Sequence, residues 1–298
     1  MTYPGDAWAA SGSVLAAPAA SPPTGWYPDP TGSWRWRHWD GAAWTQWVSD
    51  GQRVVSEELP GPDVRMQLSV RAIWWGIGGI VFGAILGNAL ALLADWLSND
   101  RLVVELIVGQ FGLWTGFVGA VVIASRRYGT GRVFADYGVM TKKHDIWRGL
   151  GFSFLARIGA VVVIIPVVLI FNDYFKHAPD GGGALDFDPQ DRGALITLAL
   201  IAAVGAPFIE ELLFRGLIMG SLRQLGAFRS IAIQGVLFGA VHMQVVQGRS
   251  NILTFLAIGS AGMFLGWCAH HYKRLGVGMW THCFFNLLVV GILVGTSF

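Results

Sequence analysis

Two adjacent glutamates and an arginine lie within one long apolar stretch of this sequence. Glu210, Glu211 and Arg215 fall inside residues 194–219, which are otherwise dominated by apolar side chains. A charge near the centre of a membrane helix costs about 2.5–3.5 kcal/mol, so three unpaired charges would cost on the order of 7–10 kcal/mol. A helix carries such residues only when something compensates for that cost, which makes these three side chains candidates for chemistry.

Helical spacing separates the roles of the two glutamates. In an α-helix, Glu211 and Arg215 are i,i+4 neighbours and can form an ion pair on one face. Glu210 lies about 100° round the helix from Glu211 and has no such partner. The spacing therefore predicts that Glu211 and Arg215 are a structural pair and that Glu210 is the working carboxylate. A purely structural charge cluster that joins helices is the alternative.

Two later apolar runs contribute imidazole and carboxamide groups. His242 follows Phe238 by four residues in one run, and His282 and Asn286 have the same spacing in another. A single histidine in an apolar helix is often only a packing residue. A histidine and an asparagine on one helix face can also serve simply as hydrogen-bonding groups between helices.

The four polar groups are predicted to lie at similar depths in a bilayer. At 1.5 Å per residue, Glu210 would lie ~13 Å and His242 ~20 Å from the cytoplasmic ends of their runs. The same count gives ~9 Å for His282 and ~15 Å for Asn286. Groups from three separate runs therefore meet in one slab, in the inner half of the membrane.

The elements that must position these groups are apolar helices. Of the 298 residues, 53% are hydrophobic and only 13% are charged, against about 25% charged in a typical soluble domain. The mean hydropathy is +0.51. Since a span needs about 20 apolar residues, the sequence predicts an all-α, polytopic membrane helical bundle of about seven spans. The predicted spans are residues 71–95, 103–125, 148–172, 194–219, 229–246, 252–270 and 276–296.

The charges of the connections predict an orientation. The connection at 126–148 has a net charge of +4, and the connection at 173–193 has a net charge of −3. Because basic connections stay in the cytoplasm, we expect a multi-pass protein of the cell membrane with a cytoplasmic N-terminus and an external C-terminus. The net charge of the whole chain, +2, gives no reason to expect nucleic acid as a partner.

The N-terminal part differs from the rest in composition. It divides into a disordered leader (1–24), a Trp-rich small domain (25–48) and a linker (49–70), followed by the membrane domain (71–298). The Trp-rich segment predicts short strands with a hairpin turn at Asp40-Gly41. With its GWYPDP start and WDGAAW close, it resembles the small actinobacterial domain of unknown function 2510. That resemblance implies a cytosolic appendage, which either binds an unknown partner or serves only as a solubilising module.

Three motifs in the membrane domain carry a second resemblance. They read EELLFR from Glu210, FGAVH ending at His242, and HCFFN from His282. In this order they resemble the CPBP family of intramembrane proteases, which includes CAAX prenyl endopeptidases and Abi-like bacteriocin-processing and self-immunity proteins. The resemblance implies an intramembrane endopeptidase that cleaves a membrane-associated or leader-bearing peptide near the cytoplasmic face.

The resemblance also implies a role for each polar residue. Glu210 would deprotonate the attacking water and His242 would help to hold it. His282 and Asn286 would donate hydrogen bonds to the oxyanion, while Glu211 and Arg215 would fix the helix geometry. Zinc stays open as a cofactor, since Glu210, His242 and His282 are all of the types that bind it. The HExxH motif that would make zinc a firm expectation is missing.

Other functions compete with this interpretation. Ser260, in the sequence Gly-Ser-Ala-Gly, superficially resembles the serine motif of rhomboid-type proteases, although the serine stands one position early. A non-catalytic membrane scaffold or immunity factor could bind a peptide in the same cavity. A transporter is disfavoured, because no second run repeats the charged pattern of residues 194–219. A peptide substrate and membrane lipid are the expected partners.

Overall fold

The chain divides into two compact units, Met1–Pro62 and Asp63–Phe298. The computed structural model describes residues 22–30, 34–56, 68–98, 102–172, 174, 191–243 and 250–296. Most of the predicted leader therefore lies outside the described residues. The two units are described separately below.

The N-terminal unit contains a four-stranded antiparallel sheet in the order β1-β2-β3-β4. Its strands are β1 (Gly25–Pro28), β2 (Trp36–Trp39), β3 (Trp44–Ser49) and β4 (Val54–Ser56). The predicted hairpin turn is confirmed, since Asp40 N–H donates to the Ala43 carbonyl over 3.1 Å between β2 and β3.

The sheet extends beyond residue 48, into the segment that was expected to be a linker. A second turn, at Asp50 and Gly51, brings β4 back against β3. Gly51 has a φ of +99°, a conformation that glycine adopts without strain. The Asp50 side chain accepts hydrogen bonds from the next two backbone N–H groups after Gly51. The boundary at 48 therefore omits one strand.

Aromatic packing and one buried ion pair form the centre of this sheet. Trp39 is 1% exposed, and its ring meets that of Trp44 edge to face at 5.2 Å. The Arg37 guanidinium is fully buried and lies 2.7 Å from the carboxylate of Asp29. A unit this small cannot build a conventional apolar core, so these contacts take its place.

The second unit is all-α, as predicted. Its elements are α1 (Ile73–Ser98), α2 (Leu102–Tyr128), α3 (Val133–Tyr137), α4 (Lys143–Ile170), the composite helix α5 (Arg192–Leu225), α6 (Ala227–Val241), α7 (Ser250–Tyr272) and α8 (Gly276–Thr296). Each of the seven predicted runs forms or lies mainly within one helix.

Five of these helices are long and apolar enough to cross a membrane, within the part of the chain that the structure describes. They correspond to α1, α2, α4, α5 and α7. The fifth predicted run differs, because α6 has only 15 residues and spans about 22 Å of a hydrocarbon core that is about 30 Å thick. These five candidate spans support a membrane protein, and the multi-pass topology with seven spans stays a prediction.

Large apolar side chains cover the outside of the helical unit. Trp74, Trp147 and Phe228 stand within the first turns of α1, α4 and α6, and they are 70%, 74% and 84% exposed. Water would penalise such a surface, whereas lipid accepts it. Aromatic residues at helix ends are also typical of the membrane–water interface.

Two of the basic connections lie at the same end of the bundle, as the charge pattern predicted. Arg274, between α7 and α8, donates to both carboxylate oxygens of Asp145 over 2.7 and 3.3 Å. Both residues are buried. Leu275 N–H also donates to the Gly138 carbonyl over 2.9 Å. The connection after α2 and the connection after α7 are thus joined by a bidentate ion pair.

A buried carboxylate organises the connection after α2. Burial alone would raise the pKa of Asp136, but hydrogen bonds from Ser125 and Thr130 outweigh this effect and lower the pKa below its usual value. Asp136 therefore stays ionised at neutral pH and holds the chain between α2 and α3 in place.

Helices α1 and α2 pack through glycine. An added Cβ at Gly79 would lie 2.5 Å from the Cβ of Ala120, and one at Gly83 would lie 2.5 Å from the Leu113 carbonyl oxygen. At Gly116 it would collide with the backbone of both Gly79 and Gly83. Small residues at four-residue spacing let membrane helices approach this closely.

Gly116→Val is expected to destabilise the helical unit by roughly 1–3 kcal/mol or more, because the new side chain must force α1 and α2 apart. Gly119→Val is a matched control in the same helix, since a Cβ there meets nothing within 4 Å. Thermal unfolding in detergent measures both variants. Equal midpoints for the two variants would contradict the close packing of α1 and α2.

Candidate active site

The helix that carries the two glutamates is not a regular α-helix. Within α5, Ile201–Gly205 and Glu211–Ile218 are π-helical, and the α-helical segment Ala206–Glu210 separates them. Pro207 lies in this segment and has no N–H to donate, which favours an irregular hydrogen-bond ladder. Short π-helical turns are frequent at functional sites. Glu210 is thus the last residue of the α-helical segment, and Glu211 is the first residue of the second π-helical segment.

The predicted pairing of Glu211 with Arg215 is confirmed. Glu211 Oε1 lies 3.0 Å from Arg215 Nη1, and both side chains are fully buried. Arg215 Nη2 donates to the Gly262 carbonyl on α7 over 3.1 Å. The guanidinium also lies 4.2 Å from the centre of the Phe238 ring, a favourable cation–π distance. The pair therefore joins α5 to α6 and α7.

Two further residues complete this buried cluster, and sequence reasoning missed both. Gln234 in α6 is fully buried and donates to the same Gly262 carbonyl over 2.8 Å. At Gly278 in α8, an added Cβ would lie 2.9 Å from Glu211 Oε2. The signal for Gln234 was available, since it is a polar residue in an apolar helix, one turn before Phe238.

Glu210 faces two histidines, one directly after the end of α6 and one in α8. Its Oε2 lies 4.0 Å from His242 Nε2 and 3.8 Å from His282 Nε2. The exposed fractions of the three side chains are 13% for Glu210, 33% for His242 and 4% for His282. The structure therefore brings together residues that are up to 72 positions apart in the sequence, and it leaves Glu210 more accessible than Glu211.

The Nδ1 atom of each histidine has an acceptor beside it. His242 Nδ1 lies 2.6 Å from the Phe238 carbonyl oxygen, which can only accept, so Nδ1 carries the proton. His282 Nδ1 lies 3.3 Å from Glu211 Oε1, and an ionised Glu211 imposes the same tautomer. In the neutral form of each ring, Nε2 then directs a lone pair toward Glu210.

Asn286 is tied to the helix that carries Glu210. It lies one turn beyond His282 in α8, and its Nδ2 donates to the Ala202 carbonyl over 2.7 Å. Ala202 belongs to the first π-helical turn of α5. A carboxamide has two N–H donors, so this bond leaves one for another acceptor.

Glu210, His242 and His282 do not match a zinc site in their observed spacing. Zinc bonds of about 2.0–2.1 Å in a tetrahedron place neighbouring ligand atoms roughly 3.3 Å apart. Glu210 Oε2 lies 3.8 and 4.0 Å from the two nitrogens. No group of three or more His, Cys, Asp or Glu in the described ranges could hold a metal ion.

The serine that raised the rhomboid-type alternative is engaged in its own helix. Ser260 Oγ donates to the Ala257 carbonyl over 2.9 Å, one turn earlier in α7. Gly262, two residues further on, accepts hydrogen bonds from Arg215 and Gln234. This stretch of small residues therefore lets α7 pack closely and presents a carbonyl to the buried cluster.

Residues 192–288 match the family model described as type II CAAX prenyl endopeptidase, Rce1-like. The matched segment contains all six candidate site residues of the three motifs, which are Glu210, Glu211, Arg215, His242, His282 and Asn286. It is a CPBP-type intramembrane protease domain. No curated protein and no solved structure matches the chain. The CPBP domain covers about a third of the chain, and neither the Trp-rich unit nor the first three long helices fall within it.

Proposed function

We propose that this chain is an intramembrane endopeptidase in which Glu210 activates a water molecule for attack on a peptide bond. The observation that carries this proposal is the position of the Glu210 carboxylate, 3.8–4.0 Å from two imidazole nitrogens and partly accessible. Glu211, in contrast, is fully buried against Arg215. The substrate class is a membrane-associated or leader-bearing peptide.

The attacking water fits between Glu210 and His242. Their closest polar atoms are too far apart for a direct hydrogen bond, and a bridging water suits such a separation. Glu210 Oε2 and the Nε2 lone pair of His242 both accept, so the water donates one hydrogen to each. Its own lone pair is then directed to the substrate carbonyl. As the oxygen attacks, Glu210 takes the proton.

The oxyanion that forms on the substrate needs hydrogen-bond donors. His282 lies between the two carboxylates, with Nδ1 3.3 Å from Glu211 Oε1 and Nε2 3.8 Å from Glu210 Oε2. In the proposed mechanism, His282 donates to the oxyanion through a protonated Nε2, and the second N–H of Asn286 adds to it.

The charge pattern of the connections supports cleavage near the cytoplasmic face. His282 lies six residues, about 9 Å, from the start of α8. That start follows Arg274, which belongs to the basic end of the bundle. With a cytoplasmic N-terminus, the site lies in the inner half of a cell membrane.

Peptide cleavage by the purified protein in detergent tests the proposal. We expect cleavage to persist when a chelator is added, since the carboxylate and imidazoles are spaced too widely for zinc. Serine-directed inhibitors should have no effect. Loss of activity with chelator and its return with Zn²⁺ would instead make Glu210, His242 and His282 metal ligands. A protein that binds peptides but cleaves none would be the non-catalytic scaffold.

His242→Phe is expected to slow cleavage by about 10²-fold, because the phenyl ring has no acceptor and the water loses one of its two. His144→Phe is the matched control, since His144 is half exposed and lies in the first turn of α4. Initial rates on one peptide compare the two variants. A His242→Phe rate equal to that of the control would remove His242 from the water site.

A further inference from the structure

An arginine at membrane depth remains outside the site described so far. Arg157 stands near the middle of α4, and its Nη2 donates to the Phe285 carbonyl of α8 over 2.6 Å. Its guanidinium carbon lies 4.3 Å from the centre of the Phe285 ring. Arg157 Nε is buried and has no hydrogen-bond partner among the described residues. Most of its donor capacity is therefore unused.

Arg157 has no acidic partner among the described residues. It contacts a carbonyl oxygen and an aromatic ring, neither of which carries a negative charge. A cation at the bilayer centre is costly, and such residues usually belong to a substrate or ion path. Arg215, by comparison, has its carboxylate at 3.0 Å. A hydrogen bond from an uncharged side chain would be enough to join α4 to α8, so this contact alone does not account for an arginine.

Arg157 lies close to the active-site side of α8. Phe285, its contact residue, follows His282 by three residues and directly precedes Asn286. Three residues rise only about 4.5 Å along a helix. The guanidinium is therefore held against α8 within about one helical turn of His282 and Asn286.

The depth of Arg157 restricts what it can bind. It is about 20 Å from either end of α4, whereas lipid headgroups lie outside a core that is about 30 Å thick. A lipid phosphate therefore does not reach it. The anion that could come to this depth is a carboxylate carried by a peptide bound at the site.

We propose that Arg157 binds a carboxylate of the peptide substrate, and so makes this protein selective for peptides that bring a negative charge to the site. This inference rests on the proposed peptide-binding function. The guanidinium offers a planar fork of N–H donors that matches a carboxylate, and among the described residues only its Nη2 is engaged in a hydrogen bond. The carboxylate is either the C-terminal group of the peptide or an acidic side chain.

Binding of paired peptides tests this inference without requiring cleavage. A fluorescent Ala/Leu peptide with a free C-terminal carboxylate is compared with its C-terminal amide. A second pair, amidated at the C-terminus, carries Asp or Asn at one internal position. Affinity is measured with Glu210→Gln protein in detergent, so that the bound peptides stay intact. The carboxylate form of one pair is expected to bind roughly 10- to 100-fold tighter than its amide.

Arg157→Gln, added to that background, should abolish the difference by weakening only the carboxylate form. Arg157→Lys should keep part of it, and this variant covers the case in which the glutamine variant does not fold. Arg132→Gln, at an exposed arginine outside the spans, should keep all of it. Equal weakening of acid and amide, or no preference in the parent protein, would overturn the role of Arg157.

The same peptides separate this inference from the proposed function. Cleavage by wild-type protein without any preference for the carboxylate form would support the proposed endopeptidase function and refute the role of Arg157. An Arg157-dependent preference without cleavage would support the role of Arg157 in a protein that binds peptides and does not hydrolyse them.

Discussion

Glu210→Gln is expected to lower the rate of peptide cleavage by about 10²–10⁴-fold, the usual contribution of a general base. Glutamine has nearly the same size as glutamate, and it can still hydrogen-bond to the water. It cannot take the proton that the water must lose. The Glu210 side chain is partly accessible, and the ion-pair contacts that it makes with described residues are as long as 3.8 and 4.0 Å, so the unfolding midpoint should change little.

Single-turnover cleavage and thermal unfolding, measured on the same preparations, check this expectation. Glu105→Gln is the matched control, because Glu105 is a carboxylate in the first turn of α2, outside the site. The control should keep the wild-type rate. If Glu210→Gln cleaved as fast as the control, Glu210 would have no part in the chemistry and the proposed mechanism would fall.

The local part of the site could be predicted from the sequence. The pairing of Glu211 with Arg215 follows from helical spacing alone, and it survives in a π-helical turn because four residues still bring the two side chains together. The meeting of Glu210 with His242 and His282 was predicted from depth. In a membrane each helix must begin near an interface, so the depth of a residue can be counted from the end of its run. A helix in a soluble protein has no such reference plane.

The contacts between helices could not be predicted in this way. Arg157 lies in an apolar run like many others, and only the packing of α4 against α8 places its guanidinium on Phe285. Gln234 acquires its partner, the Gly262 carbonyl, in the same manner. Periodicity identifies a helix but not the neighbour that each of its faces meets.

Breaking the buried ion pair should affect stability far more than replacing Glu210 does. Glu211→Gln leaves the Arg215 cation fully buried without its carboxylate, which is expected to cost about 3–5 kcal/mol. His282 Nδ1 also loses its ionised acceptor. We therefore expect a large fall in the unfolding midpoint and a low yield of folded protein, whereas Glu210→Gln should express normally.

A double-mutant cycle separates pairing from other effects of these changes. Arg215→Gln alone should be about as harmful as Glu211→Gln, because it leaves the buried Glu211 carboxylate without its guanidinium. The double variant should be less destabilised than the sum of the two single changes, since no isolated charge remains buried. Thermal unfolding of all four proteins in one detergent gives the coupling free energy.

The cycle also tests the division of labour between the two glutamates. Coupling near zero would mean that Glu211 and Arg215 stabilise the fold independently, against the geometry of their contact. A Glu211→Gln protein with a wild-type midpoint and no cleavage would make Glu211 a participant in the chemistry. Strong coupling, combined with a stable but inactive Glu210→Gln, is the result that the structure predicts, because one carboxylate is committed to Arg215 and the other is left for water.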